Sequence, residues 1–287
     1  MKKRKLTKKQ FKEKEKRNEA KQLQTELLLP KIPKLSQSLV KTLFKYKQGE
    51  ECGLRIEQMC IEGVNFPSSD VQELGNYFEY ICTNQLPRDG HTPEAKILKS
   101  GKLSVNYARM DKQKVNFENI MRDYKFTIEK TGFVFTNPKY SGIADIIALN
   151  EDKERVIIDI KTSGLINDKY TPYGWHNDSI EEKWDLNIQA IHYKMLAKYE
   201  WGIEDIPFYF MIFSTKNDVE CKIFEIIVDE STKFQHYQNL EKVKYFLDEN
   251  IKNGWEPKPE LMRCSRCELT ESCLYAAVVP DVQKVYI

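Results

Sequence analysis

The stretch Gly142–Gly164, GIADIIALNEDKERVIIDIKTSG, decides how the rest of the chain is read. Two apolar runs, GIADIIAL and RVIIDIK, have strand composition and are joined by the turn sequence NEDKE. Each carries a carboxylate where a hydrophobe is expected, Asp145 in the first and Asp159 in the second, and Lys161 follows two residues later. Side chains alternate along a strand, so Asp159 and Lys161 share a face with Ile157, while Val156, Ile158 and Ile160 point the other way. By the same alternation Asp145 faces with Ile143 and Ile147, and a hairpin of this length can bring Asp145 beside Asp159. Two carboxylates held together at a sheet edge repel unless a cation sits between them. A hard divalent ion with oxygen ligands suits them, Mg²⁺ better than zinc. Lys161 is then placed to hold or activate a water molecule and to offset charge developing on a phosphate under attack. The alternative is an ordinary surface ion pair, since D-x-K recurs by chance in a chain with 31% charged residues.

Outward from this hairpin, TGFVFTN and the turn signal NPKYSG precede it and extend a strand meander. IEEKWDLNIQAIHYKMLAKY follows as a helix. It places Trp184, Ile188, Ile191 and Met195 on one stripe and is long enough to cover one face of the sheet. IPFYFMIFST and CKIFEIIVD read as two more strands, and ESTKFQHYQNLEKVKYFLDENIKN as a final long helix. Upstream, LSQSLVKTLFKYKQ from Leu35 predicts a helix capped by Ser36 or Ser38. A second helix runs from about Ser69 through DVQELGNYFEYICTNQL and ends at PRDGHTPE. Residues 95–130 are charged and helical in part, without a period that fixes boundaries.

The chain has 287 residues, 41% of them hydrophobic, enough for one large domain or two small ones with a sizeable core. Its net charge of +2 conceals an asymmetry, because residues 1–22 hold 11 Lys/Arg against 3 Glu and the remainder is net acidic. Such an arm is a solvated tail or a grip on a polyanion. No run approaches the roughly 18 apolar residues of a membrane helix. The start, MKKRKLTKKQ, lacks the apolar segment of a secretion signal, so a cytoplasmic location without membrane partners is expected. Seven cysteines, an odd number, argue against a disulfide framework in that setting. Three of them, Cys264, Cys267 and Cys273, are spaced C-x2-C-x5-C without a histidine, which points to a metal whose fourth ligand lies elsewhere. Cys52, Cys60, Cys82 and Cys221 are scattered, and Cys82 and Cys221 read as ordinary buried thiols.

GIAD, IDIK and QAIHY resemble the G-x-x-D, D/E-x-K and Q-x-x-x-Y motifs of the PD-(D/E)XK nuclease superfamily, in the branch of the RecB and AddB nuclease domains and the CRISPR-associated exonucleases. GNYFE resembles that branch's early helix motif, a glycine followed four residues later by a metal-binding His or Glu, here Glu79. The resemblance covers roughly residues 36–275, and its strength lies in four short motifs in the family's order. It implies an α/β fold: a restriction-endonuclease-like core, a mixed central sheet flanked by helices, with an N-terminal helical region and a C-terminal iron–sulfur cysteine loop. The corresponding division is a basic arm at 1–30, a helical region at 31–130 with Cys52 and Glu79, a nuclease core at 131–255, and the cysteine loop and tail at 256–287.

Carried over residue by residue, the resemblance makes Glu79, Asp145, Asp159 and the main-chain carbonyl of Ile160 ligands of Mg²⁺ or Mn²⁺, Lys161 the catalytic lysine, and Gln189 and Tyr193 contacts to the substrate strand. RecB-like members have histidine where Glu79 stands and lambda-exonuclease-like members have glutamate, which leaves strand polarity open. The cysteine spacing resembles an iron–sulfur staple of the AddB type. Cys264, Cys267 and Cys273 then bind a [4Fe–4S] cluster with Cys52 as fourth ligand, Cys60 being the rival and zinc the alternative metal. The implied activity is metal-dependent hydrolysis of DNA, by an exonuclease rather than an endonuclease, on single strands or ends, in recombination, repair or phage DNA metabolism, with a helicase or recombinase as a possible partner. The alternative is a non-cleaving DNA-binding or assembly subunit that keeps the fold and the staple.

Overall fold

The computed structural model describes residues 33–87, 90–166, 169, 174–175 and 184–276. The basic arm, the first residues of the helix predicted from about 180, and the tail beyond 276 lie outside them. Six strands form one mixed sheet: β1 (Leu35–Ser36), β2 (Thr127–Thr136), β3 (Tyr140–Leu149), β4 (Arg155–Ser163), β5 (Phe208–Ser214) and β6 (Cys221–Glu225). The pairs β2–β3, β3–β4 and β5–β6 are antiparallel, as a meander gives. The β4–β5 pair is parallel and therefore needs a crossover, which helix α4 (Trp184–Trp201) supplies. The other long helices are α1 (Gln37–Gln48), α2 (Asp70–Thr83), α3 (Val105–Asp123) and α5 (Glu230–Asn253).

Because β4 and β5 are buried on both faces, their sequences are nearly continuous in hydrophobes. On one face Ala144, Ile157, Phe208 and Phe210 pack against α1, α4 and α5. On the other, Ile146, Val156, Ile158 and Phe213 pack against Leu74 and Phe78 of α2 and Met110 and Phe117 of α3. The result is a three-layer α/β arrangement, helices on both sides of a mixed sheet. No helix among the described residues is long and apolar enough to cross a membrane.

Local signals account for most of the boundaries. Ser36 caps α1, its hydroxyl accepting from Leu39 N at 3.1 Å, so Ser36 rather than Ser38 is the cap. Ser69 and Gln72 form a capping box on α2. That helix stops at Thr83, short of the predicted Leu86, because Asn84 takes the left-handed conformation at φ 57° and turns the chain. β6 ends at Glu225, earlier than Asp229. The featureless span 95–130 resolves into α3 and the start of β2. The stripe expected on α4 is not a stripe: every residue from Gln189 to Ala197 is buried, because α1 and α5 cover the side that the sheet does not. A helix enclosed on all sides carries no amphipathic pattern. Within it His192 meets His236 of α5 edge-on, ring centroids 5.7 Å apart. His192 Nε2 donates to the Ser141 carbonyl at 3.1 Å, while His192 Nδ1 and His236 Nε2 are buried without partners.

One element was hidden in the sequence. Ser141 is paired with Thr136 of β2 and also with Ser36 of β1, so β1 lies on the β4 side of β3. β3 and β4 themselves pair only over Ile146–Leu149 and Arg155–Ile158. Along its first half β3 therefore yields that edge to a two-residue strand, and the hairpin gapes.

Candidate active site

Asp145 and Asp159 occupy the first rung beyond the last paired residues, Ile146 and Ile158, where β3 and β4 part. The missing ladder bond is replaced by a side chain: Asp145 Oδ2 accepts from Ile160 N at 2.8 Å. Its carboxylate thus lies along the gap between the strands. This corrects the expected shared face. Asp145 lines the same cleft as Ile143, but Ile147 packs into the opposite layer, because alternation slips at the point where the strands separate. The expectation for β4 holds: Asp159 turns toward α4 on the face of Ile157, and Lys161 is ion-paired with it.

Glu79 reaches the site from the last turn of α2. Gly75, one turn earlier, lies against Thr162 of β4, which brings the helix close to the strand, and Thr83 Oγ1 donates to the Glu79 carbonyl at 2.8 Å. Glu79 and Asp145 together line an open cleft of about 540 Å³. Its floor includes Gly132, held at φ +54° opposite Asp145, where a Cβ would collide with the Gln85 side chain.

Burial, together with repulsion from Asp159 and Glu79, pushes the Asp145 carboxyl well above the usual carboxylate range, against the opposing pull of Lys161 and the Ile160 N–H. Burial acts to lower Lys161, but the attraction of Asp159, Asp145 and Glu79 outweighs it and holds the ammonium protonated beyond its ordinary range. Lys161 is accordingly a fixed cation rather than a base. Asp159 Oδ2 is buried and has Lys161 as its ion-pair partner.

Gln189 and Tyr193, four apart on α4, are both buried. Gln189 Nε2 donates to Asp159 Oδ1, and Tyr193 OH donates to the Ile143 carbonyl at 2.6 Å. Each therefore braces a strand that carries a site carboxylate. The helix approaches because Gly142 has no side chain: a Cβ there would lie 2.6 Å from Leu196 Cδ1 and 2.8 Å from Tyr193 Cε1.

The four cysteines Cys52, Cys264, Cys267 and Cys273 line one small, nearly apolar cavity. Cys60 does not line it. Burial pushes the Cys60 thiol up to about 11, and its side chain packs against the core. The cavity is formed by two chain segments far apart in sequence. Tyr46 OH contacts the Glu256 carbonyl at 3.3 Å, Lys258 Nζ donates to the Tyr46 carbonyl at 2.7 Å, and Arg263 Nη2 donates to the Gly49 carbonyl at 2.7 Å. Gly53 packs so tightly on Glu256 that any Cβ would meet its carbonyl oxygen. Cys82 and Cys221 pack at the edges of the second core cluster.

Among the described residues, no three His, Cys, Asp or Glu side chains converge as a finished metal-ligand set. The donor chemistry nevertheless fits two different groups. Oxygen donors around a destabilised, buried carboxyl suit a hard divalent ion, and four thiols lining one small cavity suit zinc or an iron–sulfur cluster. Phe66, which lines the cleft, and Arg55, which lies over its ring, gave no signal in the sequence.

No family model matches the chain, and no curated protein matches it. The crystal structure of a "Putative exonuclease" from Eubacterium rectale aligns with a TM-score of 0.56 at 16% identity, covering 88% of this chain and 90% of that one. A second solved structure, SSO0001, aligns at 14% identity over 84% of this chain and 95% of that chain, with a TM-score of 0.28 that carries no argument. The first likeness is one of fold, a mixed sheet flanked by helices.

Proposed function

We propose that the protein is a metal-dependent DNA nuclease of the PD-(D/E)XK type, acting as an exonuclease on single strands or ends in DNA recombination, repair or phage DNA metabolism. The observation that carries this reading is the placing of Asp145 and Asp159 on one rung where β3 and β4 part, with Lys161 ion-paired to Asp159 and Glu79 lining the same cleft as Asp145. The fold shared with a protein named as an exonuclease supports it. Glu79, Asp145, Asp159 and the Ile160 carbonyl would hold Mg²⁺ or Mn²⁺, which would supply charge stabilisation at the scissile phosphate. Lys161, kept cationic by three carboxylates, orients water and offsets charge on the phosphate. Gln189 fixes the rotamer of Asp159, and Tyr193 fixes the backbone at Ile143, so their contribution is to position the site. Contacts to the substrate strand would use the second N–H and the Oε1 of Gln189 and the acceptor side of the Tyr193 hydroxyl.

Cys52, Cys264, Cys267 and Cys273 would hold a [4Fe–4S] cluster, with zinc as the alternative, in a structural role that hydrolysis does not draw on. DNA is the partner, the lysine-rich arm at 1–22 the sequence-independent grip, and a cytoplasmic helicase or recombinase a compatible associate. Incubation with Mg²⁺ and end-labelled single-stranded, double-stranded and closed circular DNA tests the assignment. Release of mononucleotides or short products from ends is the expected result. Cutting of closed circles would replace exonuclease with endonuclease, and no cutting of any substrate would favour a non-cleaving DNA-binding subunit. Anaerobic purification tests the cluster: a brown protein carries iron–sulfur, a colourless one with bound metal carries zinc.

A further inference from the structure

The cleft beside the carboxylates has a composition that the hydrolytic chemistry does not explain. Phe66, Leu86, Val134 and Ile143 give it apolar walls, and Asn65, Asn76 and Gln85 add uncharged amides. No Lys or Arg is among its described lining residues, although it opens directly onto Glu79 and Asp145. Away from those two carboxylates its described walls offer a phosphate backbone no cationic partner. One planar ring among apolar walls, with amide donors and acceptors beside it, suits the face and edge of a heterocyclic base instead. Val134 and Leu86 remain 56% and 42% exposed, a cost in solvated apolar surface that an occupant would remove.

The aromatic member is held in place. Arg55 lies over the Phe66 ring at 5.3 Å from its centroid. The same guanidinium is paired with Glu268 of the cysteine loop at 3.3 Å and with Glu51 at 3.6 Å. A π-helical turn, Glu57–Ile61, lies between them in the chain, so Arg55 fixes Phe66 across an irregular segment. Through Glu268 it ties the cleft wall to the cysteine cavity, which Arg55 also lines.

We propose that this cleft is a base-binding subsite that receives one unpaired nucleobase next to the scissile phosphate, with Phe66 as its stacking platform and Arg55 as the positioning residue that holds the platform. The proposal rests on the nuclease reading for its substrate, but its test does not depend on cleavage. The probe is a short single-stranded oligonucleotide with 2-aminopurine at or near its end, and a matched series with an abasic unit moved through the same positions. Both are bound to the full chain without divalent metal. At one position stacking should quench the fluorophore, and the abasic unit there should weaken binding to the wild-type protein roughly 5- to 100-fold. Phe66→Ala should lose the quench and bind both oligonucleotides equally, and with Mg²⁺ its loss should fall on KM. Phe66→Trp should restore both. Arg55→Ala should reduce the discrimination, and Arg55→Lys should recover part of it. Equal binding of intact and abasic strands by the wild-type protein at every position overturns the subsite, whether or not the variants fold. So does discrimination that survives in Phe66→Ala. A wild-type protein that discriminates but cleaves nothing in Mg²⁺ supports the subsite and removes the nuclease reading.

Discussion

Acid should destabilise this protein through a pair of histidines remote from the carboxylates. Burial holds His192 down at about 4 and, aided by repulsion from His192, His236 down at about 3, whereas both titrate near 6.5 in an unfolded chain. The folded-state values are depressed, so between about pH 6.5 and 4 the unfolded chain takes up protons that the native state refuses. The stability is fully present above that window and is lost as the pH falls through it. Below its unfolded value each histidine contributes up to about 1.4 kcal/mol per pH unit, so a drop from pH 7.5 to 5 costs about 2 kcal/mol for each and about 4 for the pair. That is a large share of the roughly 5–15 kcal/mol that a domain possesses. Asp145, whose folded-state value is raised, works in the opposite direction, so the measurement must be differential. Urea midpoints and slopes at several pH values between 7.5 and 5 should show His236→Asn losing about 2 kcal/mol less than the wild type over the window, whatever its stability at neutral pH. Parallel pH profiles for the two proteins would refute the assignment of acid sensitivity to this pair.

Lys161→Ala and Asp159→Ala should each reduce cleavage by on the order of 10² or more while DNA retention on a filter persists; near-normal turnover of Lys161→Ala with Mg²⁺ would sink the proposed site. Cys264→Ala should give colourless, protease-sensitive protein, whereas Cys82→Ala should match the wild type in limited proteolysis, and equal mildness would remove the staple. Gly53→Ala should lower stability by about 1–3 kcal/mol by forcing a Cβ against the Glu256 backbone, read as a fall in Tm; an unchanged Tm would mean that the two segments separate at little cost. Deleting residues 1–22 should weaken binding to all DNA sequences alike and flatten its salt dependence by roughly 0.7–0.9 in the log–log slope per lost phosphate contact, and an unaltered slope would return the arm to a solubilising role.

The parts of this architecture that were legible in the sequence are those set by local pattern. Strand alternation placed Asp159 and Lys161 on the face of Ile157, and capping chemistry placed the starts of α1 and α2. The spacing of Asp145 and Asp159 about their turn was enough to make them neighbours. What escaped depends on contacts between distant segments. β1 is two residues long and reads as the approach to a helix, since nothing in Leu35–Ser36 reveals that Tyr140 and Ser141 lack a partner on one side. The orientation of Asp145 escaped because alternation presumes a continuous ladder, and here the ladder stops one rung earlier. The bonds of Gln189 to Asp159 and of Tyr193 to the Ile143 carbonyl escaped because nothing local shows that α1 and α5 press α4 onto the sheet. Phe66 is one aromatic in a loop, and its place in the cleft follows from Arg55 and the segment that ends at Cys273.

Tyr46 and Glu256, which hold the cysteine cavity together, are separated by 210 residues. On a ribosome adding roughly 5–20 residues per second, the first waits about 10–40 s for the second to be made. The meander β2–β3–β4 is complete long before then, so the sheet can close while Cys52, Gly53 and Tyr46 are still without their counterpart. Assembly of the cysteine cavity thus waits for the segment from Glu256 to Cys273 to be made. A chain interrupted before Glu256 has the strands bearing Asp145, Asp159 and Lys161 but lacks the segment that brings Cys264, Cys267 and Cys273 beside Cys52.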